Sequence, residues 1–215
     1  IIDNYSIVKN YNSEKEYFNY VSSEDAFLLD YKTQLPETIS LDELDNWSLK
    51  LGWETIKEEL LLLKNKKSSK HEIIKDIVGY IRLEWLIALS IKINYSEINI
   101  KPNLKTDDEG IPYHQAPPKK FDIEIENDEE YVFVEATLIS NAEQVPREIN
   151  KIPRKINEYI FINSSKGKKT FFIAPNVHED SKNMTEWLLD KKNINIINYN
   201  IEDFIKKIEF SEEFS

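Results

Sequence analysis

A chain of 215 residues, 40% hydrophobic and 12% aromatic, suffices for one large domain or two small ones and excludes global disorder. The absence of cysteine excludes a disulfide framework and thiolate metal ligation, and it fits a reducing compartment. A formal net charge of −11 argues against a binder that lives on many phosphate contacts, so any nucleic-acid role must rest on local basic patches, bound cations or a partner. No apolar run reaches transmembrane length, so no membrane partner is expected. The sequence begins at Ile1 rather than Met, which leaves a preceding segment or removed leader open.

Residues 1–70 are polar and helix-prone and read as a mainly helical N-terminal segment. Tyr5, Tyr11, Tyr17, Phe18 and Tyr20 supply aromatic anchors at irregular spacing. Leu44, Trp47, Leu51, Ile56, Leu60 and Leu63 recur at helical period and predict a helix over 42–63. Pro36 and Ser40 just upstream suit a turn and a helix start. Lys64–Lys70 (KNKKSSK) is a basic connector, a solvated loop on the simpler reading and a phosphate contact on the other.

The next stretch, 71–93, is predicted to be a central helix. Its apolar residues cover most of the circumference, from Ile73 and Ile74 to Leu89 and Ile93, so it should be buried. Glu84 interrupts this surface, flanked one turn away by Tyr80, Ile81, Ile87 and Ala88. A carboxylate there must be paired, protonated or bound to a metal; Arg82 is a candidate structural partner. Residues 101–120 follow as a long connection with four prolines and one glycine, without periodicity. Such loops are usually functional. This one carries His114, better read as a surface residue or DNA contact than as a metal ligand, and delivers Lys119 and Lys120 beside Asp122.

Two short alternating runs come next. Phe121, Ile123 and Ile125 alternate with Asp122, Glu124 and Glu126. After the polar stretch 127–130 comes YVFVEATLI. This reads as a β-hairpin with a four-residue loop. Pairing Glu126 with Tyr131 sets Asp122 directly opposite Glu135, with Cβ atoms about 5 Å apart. Like charges so placed share a proton or hold a cation, which points to a magnesium site for phosphodiester hydrolysis.

Beyond the hairpin, 145–159 reads as a helix with Pro146 near its first turn and Pro153 set to kink or split it. TFFIA (170–174), ended by Pro175, reads as a strand buried on both faces. A short helix over 185–189, a strand over 193–199 and an amphipathic helix over 202–208 come after it, and 211–215 should fray. This order predicts an α/β fold with a mixed central β-sheet flanked by helices. The core would span 71–210, with the helical N-terminal part before it.

These residues carry a resemblance. Asp122, twelve residues, then Glu135-Ala136-Thr137 resembles the PD-(D/E)xK nuclease motif. FDIEIENDEEYVFVEATL more closely resembles one branch, the AlwI-like type IIS restriction endonucleases and their strand-nicking relatives. Arg82-Leu83-Glu84 on the central helix, NLKTDDEGIPYHQAP before the hairpin, and Arg147-Glu148, Arg154 and FFIAPNV after it also look like family segments, over roughly 70–200. The resemblance implies a restriction-endonuclease-like fold and four acidic site residues, Glu84, Asp122, Glu135 and Glu148, with Asp122, Glu135 and Glu84 holding one or two Mg2+ ions. It also implies double-stranded DNA as substrate and a prokaryotic, cytoplasmic setting. Phe121 replaces the usual Pro, and Thr137 stands where many such nucleases have Lys. Thr137 can bond a metal-bound water but supplies no charge. That role would fall to a second metal or to Lys119, Lys120, Arg147, Lys151 or Arg154.

The leading expectation is therefore a magnesium-dependent endodeoxyribonuclease, the cleavage domain or subunit of a type IIS restriction or nicking enzyme. Recognition would come from the N-terminal helices, from a segment outside the chain or from another subunit, and the chain would dimerise with itself or with a second nuclease subunit. Two alternatives stand beside it. A noncatalytic partner would keep the fold for dimerisation or DNA docking, but has no physical reason to retain clustered acids. A glycosidase would use paired carboxylates in an aromatic-lined cleft.

Overall fold

The computed structural model describes residues 39–127, 130–160, 166–211 and 214. The chain divides into two units, 1–37 and 38–215, and all the described residues belong to the second. The expected aromatic anchors between Tyr5 and Tyr20, and Pro36, lie outside the described residues.

Helix α1 (Leu41–Lys64) starts as its sequence demands. The Ser40 hydroxyl accepts the Glu43 N–H at 3.2 Å, and the Glu43 carboxylate accepts the Ser40 N–H at 2.8 Å, a reciprocal capping box. Gly52 adopts φ +71°, which breaks the helical geometry mid-way at the one residue without a Cβ to resist it. All six predicted core positions of this helix are buried. They share one core with α2 (Gly79–Asn94), where the Trp47 ring meets Trp85 edge-on at 5.6 Å. The helix of the expected N-terminal segment is thus packed into the core itself.

The central helix is shorter than its periodicity suggests. Residues 74–76 form a 3₁₀ turn, Ile77 and Val78 are extended, and α2 begins only at Gly79. Ile77 and Val78 are β-branched and favour extended backbone. A Cβ at Gly79 would lie 3.2 Å from Leu138 Cδ1, so a larger residue at the helix start would require that side chain to shift by a few tenths of an ångström.

The connection after α2 is more ordered than its prolines imply. β1 (Asn99–Pro102) is an edge strand, and β2 (Lys105–Thr106) pairs with β3 (Pro112–His114) in a separate hairpin. β4 (Ile123–Glu126) and β5 (Glu130–Ala136) form the predicted hairpin with Glu126 opposite Tyr131. Glu130 belongs to the strand rather than to the loop. The helix expected over 145–159, to be kinked or split at Pro153, is split into α3 (Gln144–Arg147), a 3₁₀ turn (Ile149–Lys151) and α4 (Ile152–Ile160). The break falls at Glu148, so Pro153 sits in the first turn of α4, where its missing N–H costs nothing. β6 (Gly167–Ala174), α5 (Glu179–Lys192), β7 (Asn195–Asn200) and α6 (Ile201–Phe210) complete the chain.

The five-stranded sheet runs β1-β4-β5-β6-β7, antiparallel through β5 and parallel beyond it. It is mixed and flanked by helices, as the element order predicts. Val132 and Val134 face the core made with α1, α2 and α6, while Phe133 and Phe172 face a second core with Ile149, Ile152 and Ile156. Phe214 departs from the fraying expected over 211–215. Phe214 is buried, with its ring 5.4 Å from Tyr95 and 5.2 Å from Phe171.

Candidate active site

Asp122 sits where β4 departs from regular pairing. Had the ladder continued, Asp122 would stand opposite Glu135 with its N–H turned away from β5. Instead the N–H donates to the Val134 carbonyl at 3.1 Å, and its Oδ2 accepts the Ala136 N–H at 2.7 Å. The bend turns Phe121 off the Ile123 face into the second core, where it stacks on Phe133 at 4.3 Å. Regular alternation of Phe121 with Ile123 fails for this reason. The bend is braced by Asn103, fully buried, whose N–H donates to the Asp122 carbonyl at 2.9 Å. Its amide donates to the Phe121 carbonyl at 2.9 Å and to Glu124 at 2.7 Å.

Three acids from three elements line one cleft of about 460 Å³: Glu84 from α2, Asp122 from the bend before β4 and Glu135 from β5. Their exposures are 5%, 9% and 4%, low enough that ionisation is costly. Burial, then the charge of Asp122, pushes the Glu84 carboxyl up to about 9. Burial, then the charge of Asp122, raises Glu135 to about 8, against the pull of Lys155. Burial raises Asp122 to about 6, opposed by Lys155 and by the Ala136 N–H. Among the described residues Glu84 receives only the Ala116 N–H, at 3.4 Å, and has no arginine partner, because Arg82 lies toward Glu59 at 3.8 Å.

The residue the sequence reading missed is Lys155. Its ammonium is ion-paired with Glu135 Oε1 and lies 5.3 Å from the centre of the Phe121 ring, with Lys155 itself 7% exposed. The signal was present. Lys155 stands within the apolar stripe Ile149, Ile152 and Ile156, a lone charge on a buried face, just as Glu84 does on α2.

The other expected residues divide. Lys119, Lys120, Thr137, Glu148, Lys151 and Arg154 all line the cleft. Lys119 adopts φ +77° in a turn closed by a 3.2 Å bond from the Lys120 N–H to the Pro117 carbonyl. A non-glycine residue there stores about 1–3 kcal/mol of strain. Glu148 lies at the junction after α3 rather than in a helix's first turn, and pairs with Lys151 at 3.3 Å. Two residues are not brought in. Arg147 is exposed, pairs with Glu143 at 2.9 Å and lines a different surface pocket. His114 is exposed on β3 and does not line the cleft. A larger cavity of about 710 Å³, beside Pro153 and Lys192, carries no carboxylate.

The donor set suits magnesium. Every candidate ligand is a carboxylate oxygen, the type a hard cation prefers, and Glu135 Oε2 is buried without a hydrogen-bond partner. Among the described residues, no three acid or imidazole groups already stand together as a formed cage, and Lys155 takes Glu135 Oε1. Asp122 and Glu135 are the groups that would hold the ion, with Glu84 as third ligand.

The family model described as AlwI restriction endonuclease matches residues 10–207. The chain belongs to the AlwI restriction endonuclease family. The fold agrees with that placement. The crystal structure of the small subunit of the heterodimeric restriction endonuclease R.BspD6I is similar, with a TM-score of 0.57 and 22% identity over 70% of this chain and 75% of that one. No curated protein matches the chain. Among the described residues of this AlwI family member, no helix is long and apolar enough to cross a membrane.

Proposed function

We propose that the acidic cleft hydrolyses DNA phosphodiester bonds with magnesium, making this chain a cleavage subunit or domain of a type IIS restriction or nicking endonuclease. The observation that carries the reading is the convergence of Glu84, Asp122 and Glu135 on a cleft that is rimmed by Lys119, Lys120, Lys151 and Arg154 and contains a buried Lys155. Asp122 and Glu135 would hold the cation, and Glu84 would supply a third carboxylate. When bound, magnesium favours ionisation of an attacking water and stabilises charge on the phosphoryl oxygens.

The chain's own groups do the rest. Lys155, released from Glu135, supplies the positive charge that Thr137 cannot, directed at a phosphoryl oxygen. The Thr137 hydroxyl accepts the Ile139 N–H at 3.2 Å, which leaves its proton free to bond a water. Glu148, with a half-exposed Lys151 beside it, is placed to take a proton from the attacking water. Lys119, Lys120 and Arg154 neutralise the substrate phosphate. Arg147 and His114 have no part in the cleft.

One acidic cleft cuts one phosphodiester bond at a time, so a second cleft would let both strands be cut together. We therefore read the chain as working beside another subunit, which the heterodimeric assembly of the structural neighbour supports. The net charge of −11 favours placing sequence recognition in such a partner or in another segment. Incubating supercoiled plasmid with the purified chain in magnesium and in EDTA tests the function. Nicked or linear product in magnesium alone is expected. A chain inert with magnesium, both alone and with a partner subunit supplied, would favour the noncatalytic docking role.

A further inference from the structure

A second pocket, of about 410 Å³, opens beside the acidic cleft, and the proposed cleavage reaction gives it no role. Its wall includes Lys66, Lys67, Lys75 and Arg82, with Gly79 at the start of α2, and no carboxylate lines it. In a chain of net charge −11 that is an unusual concentration of one sign. Lys66, Lys67 and Lys75 are exposed, and none has an ion pair among the described residues. Lys66 is held by the end of α1. Its N–H and that of Lys67 turn back to the Leu63 and Leu62 carbonyls, with Lys66 at φ +55°.

Two further observations point to an anion. Arg82 is 5% exposed, and its Nε is buried without a hydrogen-bond partner. Its guanidinium reaches only Glu59 at 3.8 Å and the Lys67 carbonyl at 3.5 Å. At the lip of the pocket, α2 begins with no side-chain cap and no acid in its first turn. Its first N–H groups therefore lack intrahelical acceptors and carry the positive end of the helix dipole.

The pocket adjoins the acidic cleft. Leu138 lines both, and Gly79 of one is followed by Tyr80 of the other. Gly79 and Glu84 lie five residues apart on α2, about 7.5 Å along its axis. That is on the order of one to two nucleotides of a DNA strand. We propose that Lys66, Lys67, Lys75, Arg82 and the uncapped start of α2 bind a backbone phosphate of the DNA strand a few nucleotides from the one that is cut. This rests on the proposed DNA-cleaving function. The contact is independent of base sequence, since phosphates position a duplex and base edges specify it.

Salt-dependent binding tests it. A fluorescent duplex is titrated with the full chain carrying Asp122→Asn, in EDTA, across a range of salt concentrations. The same is done after adding Lys66→Gln, Lys67→Gln and Lys75→Gln together, and, as a matched charge control, Lys182→Gln, Lys191→Gln and Lys206→Gln. The pocket triple should bind more weakly and flatten the slope of log K against log salt by about 0.9 per lost contact, equally on unrelated duplexes. The control triple should leave the slope unchanged. Equal effects of the two triples, an unaltered slope, or a loss confined to one DNA sequence would each overturn the inference while leaving the cleavage site standing. A parent chain that binds no duplex at any salt would overturn the inference, whereas failure of the cleavage reading shows separately, as a wild-type chain inert with magnesium.

Discussion

Lys155 and Glu135, twenty residues apart in sequence, form an ion pair whose side chains are only 9% and 5% exposed. Such a pair is a poor device for stability, because desolvation offsets much of the attraction. It makes sense as a cation stored against the carboxylate that a metal would claim. Lys155→Met should therefore lower turnover by roughly 10²–10³-fold, the scale of losing one charge-stabilising group. DNA affinity should change little, and Lys155→Arg should recover part of the rate. A variant that melts early yet turns over normally when folded would assign Lys155 to structure.

The raised carboxyl groups predict how the metal-free chain responds to pH. Glu84 at about 9, Glu135 at about 8 and Asp122 at about 6 all exceed ordinary carboxylate values. The folded state thus binds protons more tightly than the unfolded chain. The resulting stability is complete below the unfolded values near 4 and is lost as pH rises through about 6 to about 9. Because the three groups interact, the steps belong to the cluster. In EDTA the melting temperature should fall between pH 6 and pH 9, and a Glu84→Gln, Glu135→Gln double variant should flatten that fall. Magnesium should raise the melting temperature most at the alkaline end. A flat metal-free profile would contradict the clustered-acid account.

Glu148 is 23% exposed at its side chain and held by Lys151. Glu148→Gln keeps its size and hydrogen bonding and removes only the charge. Turnover should fall by roughly 10²–10⁴-fold, the range for a positioned general base, with melting temperature and DNA binding nearly unchanged. Near-normal cleavage at saturating magnesium would leave Glu148 as a surface partner of Lys151 and reduce the site to Glu84, Asp122 and Glu135.

Asn103 should behave as a positioning residue. Asn103→Ala deletes two buried hydrogen bonds around the bend that carries Asp122. A stability loss of about 1–3 kcal/mol is expected. The displaced carboxylate should cost on the order of 10²-fold in turnover and weaken magnesium affinity, measured by titrating the metal during cleavage. Unchanged magnesium dependence would confine Asn103 to folding.

The hairpin was legible because strand alternation and a polar turn fix register locally, and that register, extended past the paired residues, pointed Asp122 toward Glu135, although the bend that carries Asp122 was not foreseen. The family likeness was legible in the same stretch. Glu84 was legible as a charge on an otherwise apolar helix. Lys155 carried that same signal on α4, but Pro153 drew the reading toward a broken helix and away from the face of each turn. Asn103 had no local signal, because its role exists only once β1 lies beside the bend. The ordered strands within 99–114 were hidden for a related reason, since edge pairing is a tertiary decision that proline-rich sequence does not announce. The pocket beside Lys66 joins residues from α1, the turn before α2 and the segment after β5, and no window of sequence contains all three.

The most direct test of the central claim is DNA cleavage by Asp122→Asn, measured together with its melting temperature. Asparagine retains an oxygen to accept the Ala136 N–H, so the bend survives while one carboxylate charge is removed. Magnesium-dependent cleavage by the wild-type chain, its loss in Asp122→Asn and a melting temperature in EDTA that is unchanged or higher are the predicted results. Cleavage by Asp122→Asn at the wild-type rate would contradict the assignment of the acidic cleft as the site of phosphodiester hydrolysis.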